Sequence, residues 1–300
     1  MCLASLAFSL MALAVRVAVR TLPVLEVVFF RSLLGTLLIG GVMVRRKISF
    51  LGKPEERRLL LFRGLSGFLA LTLYFYTISV LPLGTAVMIN YTAIIFVAVL
   101  AFLFLNERPG GVLISMILVS FAGVYFLVHP ESGALLLRNP ESLLPAVSRG
   151  AAVTLGVLSA IFAAVAILMI RRIGERESPL TVIFYFTGIS TLGSLFYLFL
   201  GFRWPNPVEW LVLLGVAVGS FFGQLWMTMA YAVGPASLVS PFSFIVPLLS
   251  FVYGLLFWQE KLTRMNLFGA FLIVVGGTVI SIFEARRGKP GLSKPSVTSV

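Results

Sequence analysis

Three observations predict an all-α integral membrane protein with ten transmembrane helices, arranged as two inverted five-helix repeats. The chain is 59% hydrophobic and only 11% charged, whereas a soluble domain carries about 25% charged residues. Apolar runs of the length a bilayer requires, about 20 residues each, occur ten times along it. Two stretches also echo one another at a single offset of 153 residues with no gap: Pro82 falls on Pro235, Glu107 on Glu260 and Gly123 on Gly276. Internal repeats in apolar chains mark transporter folds, with the substrate site at the seam between repeats.

The spans are expected at roughly 3–19, 24–44, 59–80, 83–105, 112–129, 149–170, 179–201, 208–232, 236–258 and 266–283. All are read as helices, because a lipid-exposed backbone must satisfy its own hydrogen bonds. Turn residues and charges punctuate the connectors: Arg45-Arg46-Lys47, Lys53 to Arg58, Leu81-Pro82-Leu83-Gly84, Glu107 to Gly111, Arg171 to Arg176, and Trp204-Pro205-Asn206-Pro207. The domain organisation that follows is a first repeat over 1–130 and a linker over 131–148, rich in Pro and on the extracytoplasmic side. A second repeat covers 149–284, and a disordered basic cytoplasmic tail covers 285–300. Met1 to Val15 has no basic residue ahead of its apolar run, so it reads as a first span, beginning abruptly, rather than a cleavable signal.

The formal charge of +12 sits in Lys and Arg clusters between spans, which makes it a topology signal rather than a nucleic-acid footprint. The clusters favour both termini on the cytoplasmic side of the cytoplasmic (inner) membrane, with Lys261 and Arg264 on the opposing side. Five spans per half is an odd number, so the second half enters the membrane upside down, and Glu107 and Glu260 face opposite sides. One Cys (Cys2) excludes an internal disulfide, and one His (His129) excludes multi-His metal sites. Asp is absent altogether. No metal and no cofactor is expected.

Arg31 is the most costly residue in the chain. It lies about eight residues into the second span, about 12 Å deep at 1.5 Å per residue, where a charge costs at least ~2–3 kcal/mol unless it faces protein or water. It reads either as a structural Arg bonded to carbonyls or as a contact for a carboxylate or phosphate, which the guanidinium fork grips with two bonds. Arg63 opens the third span and reads as a snorkelling anchor. With Ser66, Ala70, Tyr74 and Thr77 it follows helical spacing on one face. The eighth span carries Ser220, Gln224, Thr228 and Tyr231 with Trp226 alongside, the ninth Ser240, Ser243, Pro247 and Ser250, and the fourth Asn90-Tyr91-Thr92. Such stripes also serve helix packing; four of them in repeat-related spans point to one polar cavity. The candidate substrate contacts are Arg31, Tyr74, Asn90, Tyr91, Gln224, Trp226, Tyr231 and Ser243. Arg63, Pro82, Glu107, Pro235, Pro247 and Glu260 are candidate gate or structural residues, with Glu107 and Glu260 read as ordering tight turns at span ends. Glu26 and His129 are the acid–base groups nearest a membrane path, and exchange or facilitated movement fits so sparse a set better than obligate proton-driven export.

These landmarks resemble the drug/metabolite transporter superfamily in its ten-span form with two EamA domains. The resemblance rests on Leu22-Pro23, Phe30-Arg31-Ser32, Tyr74-Phe75-Tyr76, Leu81-Pro82-Leu83-Gly84, Leu105-Asn106-Glu107-Arg108 and Gly123. In the second half it rests on Ala230-Tyr231, Gly234-Pro235-Ala236 and Gln259-Glu260-Lys261. Glu26 to Ser32 with Arg63-Gly64 is similar to the branch that includes S-adenosylmethionine and riboflavin carriers. The resemblance implies alternating access around a central cavity lined by spans one, three, four, six, eight and nine. It also implies a Pro shortly after Asn90, where this chain has Thr92-Ala93-Ile94-Ile95, while the second half keeps Pro247. The expected function is a secondary carrier of a small organic metabolite, not an enzyme, acting within membrane lipid as a monomer or homodimer without nucleic acid. A lipid or polyprenyl-phosphate flippase is the alternative. A membrane-embedded enzyme is a weaker third reading, since the chain lacks a cluster of acids, bases or nucleophiles.

Overall fold

The ten apolar runs become helices because their backbones have no other way to satisfy hydrogen bonds in lipid. The computed structural model describes residues 1–105, 111–128, 148–197, 202–233, 240–260 and 262–287. Among them are α1 (Cys2–Ala18), α2 (Val24–Arg45), α3 (Arg57–Val80), α4 (Leu83–Tyr91), α5 (Ala93–Leu105) and α6 (Gly111–Val128) of the first half. The second half has α7 (Arg149–Ile173), α8 (Pro179–Leu195), α9 (Pro207–Val233), α10 (Ile245–Trp258) and α11 (Arg264–Arg287). Four helical stretches, Val24–Arg45, Pro54–Val80, Gly150–Ile170 and Pro207–Met227, are by length and composition able to cross a bilayer, and six shorter apolar stretches accompany them. Large side chains such as Leu37, Leu118, Leu192 and Phe257 stay exposed on the outer surface, as a lipid-facing belt requires. Glu107, His129, Pro235, Lys261, the linker up to Pro145 and beyond, and the last 13 residues from Gly288 lie outside the described residues.

Side-chain chemistry sets the helix starts. Pro179 opens α8 behind Ser178, whose hydroxyl accepts the Leu180 N–H, and Ser148 caps α7 in the same way. Asn206 and Glu209 exchange backbone bonds at the start of α9, at 2.9 and 2.7 Å, satisfying two N–H groups that a helix start leaves orphaned. Thr263 caps α11 by accepting the Asn266 N–H at 3.2 Å.

Two elements depart from the expected spans. The fourth span is broken: α4 stops at Tyr91 and α5 resumes at Ala93. The ninth is a 3-10 turn over Ser240–Phe244 before α10 begins at Ile245. Thr92 and Ile245 are repeat mates, so both halves break at the same level although only the second has a nearby Pro. At Thr92 the hydroxyl donates to the Ile89 carbonyl at 2.6 Å, a local bond that competes with the helix ladder. α11 continues through Arg287, three residues into the stretch expected as tail.

The helices pack chiefly across the halves. In the first kind of pairing, α3 lies along α7 and its repeat mate α9 lies along α1. In the second, α2 meets α8 and α6 meets α11, each helix against its own mate, while α4 meets α10 within the broken fourth and ninth spans. Exchanging the halves leaves the α3–α7, α1–α9, α2–α8 and α6–α11 pairings unchanged, which is the signature of a pseudo-two-fold axis. The mates run in opposite directions because each half has an odd number of spans, so the axis lies in the membrane plane. The echoing glycines show why they recur. A Cβ on Gly123 would stand 2.8 Å from the Gly269 carbonyl and 2.9 Å from Ile273, and one on Gly276 would stand 3.0 Å from the Met116 carbonyl and against Ser120. Gly269 and Met116 are mates at the 153-residue offset, as are Ile273 and Ser120. The two glycines therefore make the same close approach from opposite sides of one axis.

Candidate functional site

A narrow cleft opens between α2, α8 and α9, lined among others by Arg31, Ile39, Leu180, Phe186, Ser220 and Gln224. Leu180 lies in the first turn of α8 and Ile39 in the later turns of α2, so the cleft reaches the end of the bundle where α8 starts and α2 stops. Arg31 is 4% exposed. Its Nε and Nη2 donate to Ser220 Oγ at 2.9 and 2.6 Å, and its Nη1 has no acceptor. The guanidinium carbon sits 5.2 Å from the centroid of Phe186.

Arg63 joins the same ring. It was expected as an interface anchor, yet it is only 8% exposed, with its guanidinium carbon 4.6 Å from the Phe186 centroid and its Nε without an acceptor. Phe186 projects from α8, which packs on both α2 and α3, so one aromatic side chain carries both cations. An Arg over an aromatic face gains about 0.5–2 kcal/mol depending on desolvation. Sequence reading missed Phe186, since nothing distinguishes it among 27 phenylalanines.

A second polar group lies where α3, α4 and α7 meet. Asn90 Nδ2 donates to Ser159 Oγ at 2.9 Å, and Ser159 in turn donates to the Ala70 carbonyl at 2.9 Å. Tyr91 faces Phe244 at 6.0 Å between ring centroids, Ser243 is buried beside it, and Tyr74 is buried one turn along α3 from Ala70. Thr77, read as seeking a wet or bonded setting, returns its hydroxyl to the Leu73 carbonyl at 2.7 Å and packs near Gly156 of α7. Gln224 lines the cleft, whereas Trp226, two residues on, stands away from it with Phe222 at 5.1 Å. Tyr231 belongs to α9, but its side chain lies outside the described residues. The implied cavity between spans one, three, four, six, eight and nine is thus approached by this group, while the open cleft is lined by spans two, seven and eight.

The opposite end of the bundle is tied shut. Glu260 follows a left-handed Gln259 (φ 52°) and folds back over α10, where its backbone N–H donates to the Gly254 carbonyl at 3.1 Å. Its carboxylate accepts the Leu83 N–H at 3.0 Å to each oxygen, capping α4 immediately after Pro82. It also pairs with Arg16 at 3.1 Å. Arg16, 1% exposed, donates further to the carbonyls of Ile78 and Leu81 at the end of α3. Burial pushes the Glu260 carboxyl above its ordinary range, with the Arg16 charge and the Leu83 N–H pulling it back. Pro247 is buried in the first turn of α10. At the other end, Arg176 bonds Glu56 at 2.8 Å. Glu26 is a separate case: it is fully buried in the first turn of α2, facing Glu209 and Arg203.

Comparison with known proteins accounts for this architecture. The EamA-like transporter family matches residues 1–129 and 150–282. The pseudopaline exporter of Pseudomonas aeruginosa (strain UCBPP-PA14) is 33% identical over 287 residues, covering 95% of each chain. Solute carrier family 35 member G1 of Mus musculus is 24% identical over 95% of this chain and 78% of its own. The riboflavin transporter of Vibrio cholerae is 27% identical over 69% of this chain and 65% of its own. A protein of known crystal structure shares the fold at a TM-score of 0.64 and 19% identity, covering 95% of this chain and 96% of that one. The chain therefore belongs to the EamA-like transporter family of the drug/metabolite transporter superfamily, and is a multi-pass membrane transporter rather than an enzyme.

Proposed function

We propose that this protein is a secondary carrier that moves a small organic acid across the cytoplasmic membrane by alternating access between its two halves, through exchange or facilitated movement. Arg31 is the observation that carries the reading: a guanidinium buried at membrane depth, open to a cleft, with Nη1 lacking an acceptor. An anion is the ligand that such a group favours. The relatives support small organic solutes, since one is named for pseudopaline and another for riboflavin, and export is the direction named for the first.

With both termini cytoplasmic, the cleft reaches the cytoplasmic end and the Arg16–Glu260 tie closes the outer end. The solute enters past Ile39 and Leu180, meets Arg31 and Gln224, and passes the group at Tyr74, Asn90, Tyr91 and Ser243 as the halves rock. A thermal-shift screen of the purified protein against metabolites tests this, since a ligand of the native state raises its apparent stability. The compounds that stabilise it are expected to be acids whose effect disappears in Arg31→Ala. Hits that are all neutral, or an unchanged response in Arg31→Ala, would remove the anion contact.

Glu26 favours a second reading, proton-coupled export. Its carboxyl is fully buried at the outer end of α2, where Glu209, Arg203 and Tyr197 are the ionisable groups acting around it. A buried carboxyl is the usual proton carrier in membrane transport. Under this reading an imposed pH gradient drives transport in the wild type and not in Glu26→Gln. Under exchange or facilitated movement the two proteins respond alike.

A further inference from the structure

We propose that Arg31 and Arg63 form a single two-cation site for a solute bearing two acid groups, with Arg63 setting the preference for a dianion over a monoanion. The proposal rests on the reading of Arg31 as an anion contact and adds a second charge to it.

Both guanidinium groups lie over one ring, 5.2 and 4.6 Å from the Phe186 centroid, so they are no farther apart than the sum of those distances. Each is more than nine-tenths buried, and each keeps an N–H with no acceptor. Among the described residues no carboxylate pairs with either, and the nearby charge that each guanidinium feels is the other's. Two like charges buried together without a counter-charge are an unfavourable arrangement that an anion spanning both relieves, whereas a monoanion leaves one exposed to the other.

Arg16 shows how this chain equips a structural arginine. It receives a carboxylate from Glu260 and the carbonyls of Ile78 and Leu81. Arg31 has one serine hydroxyl, and Arg63 has a ring. The repeat sharpens the contrast. Gly67 and Ser220 are mates at the 153-residue offset. Ser220 accepts from Arg31, and Gly67 leaves the room that the Arg63 guanidinium and Phe186 occupy. The mates of the arginines themselves are Phe184 and Val216, so the pair exists once per molecule. The ligand chemistry that this pairing selects is a dicarboxylate with a short apolar spacer, one carboxylate for each fork and the spacer for Phe186.

The test uses the full chain in lipid nanodiscs. Thermal unfolding is followed with straight-chain dicarboxylates from malonate to suberate and with monocarboxylates of matched length, at constant ionic strength. The wild type is expected to be stabilised more by dicarboxylates, with an optimum in chain length. Arg63→Gln should weaken the dicarboxylate half-saturation about tenfold or more, the loss of a charge-assisted hydrogen bond, and leave the monocarboxylate response in place. Gly67→Ala, which keeps the charge but crowds the guanidinium off the ring, should act in the same direction. Should Arg63→Gln fail to give a monodisperse protein, Arg63→Met, which removes the charge and keeps an apolar side chain against Phe186, takes its place with the same expectation. Dicarboxylates no better than monocarboxylates, or a preference that survives the Arg63 substitution, overturns the pair. If monocarboxylates alone stabilise and Arg31→Gln abolishes their effect, the anion contact stands and the pair falls. If no acid stabilises the protein, both fall.

Discussion

Burying an arginine at membrane depth costs at least ~2–3 kcal/mol, and among the described residues this chain does so at Arg16, Arg31 and Arg63. Arg31 was legible in the sequence because its place inside an apolar run is unmistakable. Arg63 was not: close to a span start, a cation ordinarily snorkels, and what holds this one inside is Phe186, a residue with no sequence signal. The Arg16–Glu260 tie was also hidden, since its partners are separated by 244 positions and only the fold brings them together. That tie gives a prediction at this scale. Glu260→Ala leaves Arg16 buried without its counter-charge and should destabilise the protein by about 3–5 kcal/mol in thermal or denaturant unfolding. Arg16→Met combined with Glu260→Gln should recover most of that loss, because it removes both charges. The pH dependence has a definite sign. The Glu260 carboxyl is raised in the folded state, so its contribution is present below the unfolded value and lost as pH rises through the folded one. Wild-type stability should therefore decline over that interval relative to Glu260→Gln.

Among the elements, the ten apolar runs were legible because bilayer thickness fixes their length. The helix starts at Ser178-Pro179 and Thr263 follow ordinary capping chemistry. The break at Thr92 was not legible, because it carries neither Gly nor Pro, and a Thr in an apolar run reads as ordinary packing. Its place at the repeat position of Ile245, where the 3-10 turn ends, means that both halves break at one level, one of them with Pro247 nearby and the other without. The α6–α11 contact gives the prediction at this scale. Gly123 and Gly276 allow those helices to touch backbone to backbone, and filling the space overpacks the axis. Gly276→Leu should cost about 1–3 kcal/mol, read as a lower melting temperature. The same change at Gly111, where a Cβ meets nothing within 4 Å, should have little effect.

At the scale of the molecule, the symmetry that pairs each helix with its mate is broken where charge is placed. Arg16, Arg31 and Arg63 have Met169, Phe184 and Val216 as their repeat mates, so the two ends and the two walls of the path differ. The fold was legible from the 153-residue echo, whereas the cleft between α2, α8 and α9 was not, because no stripe marked α8. Orientation has a direct check. Cys2 is the sole thiol of the chain and is exposed. With a cytoplasmic N-terminus, a membrane-impermeant maleimide should label it only after the membrane is permeabilised. Labelling of intact cells would invert the topology.

Counterflow in liposomes containing the purified protein bears most directly on the carrier reading. Vesicles are loaded with the unlabelled organic acid that best stabilises the protein and diluted into the same acid in labelled form. An alternating-access carrier with its anion contact at Arg31 should concentrate the label transiently in wild-type vesicles and fail to do so with Arg31→Ala. Accumulation no greater than in protein-free liposomes, or equal accumulation with Arg31→Ala, would contradict the account.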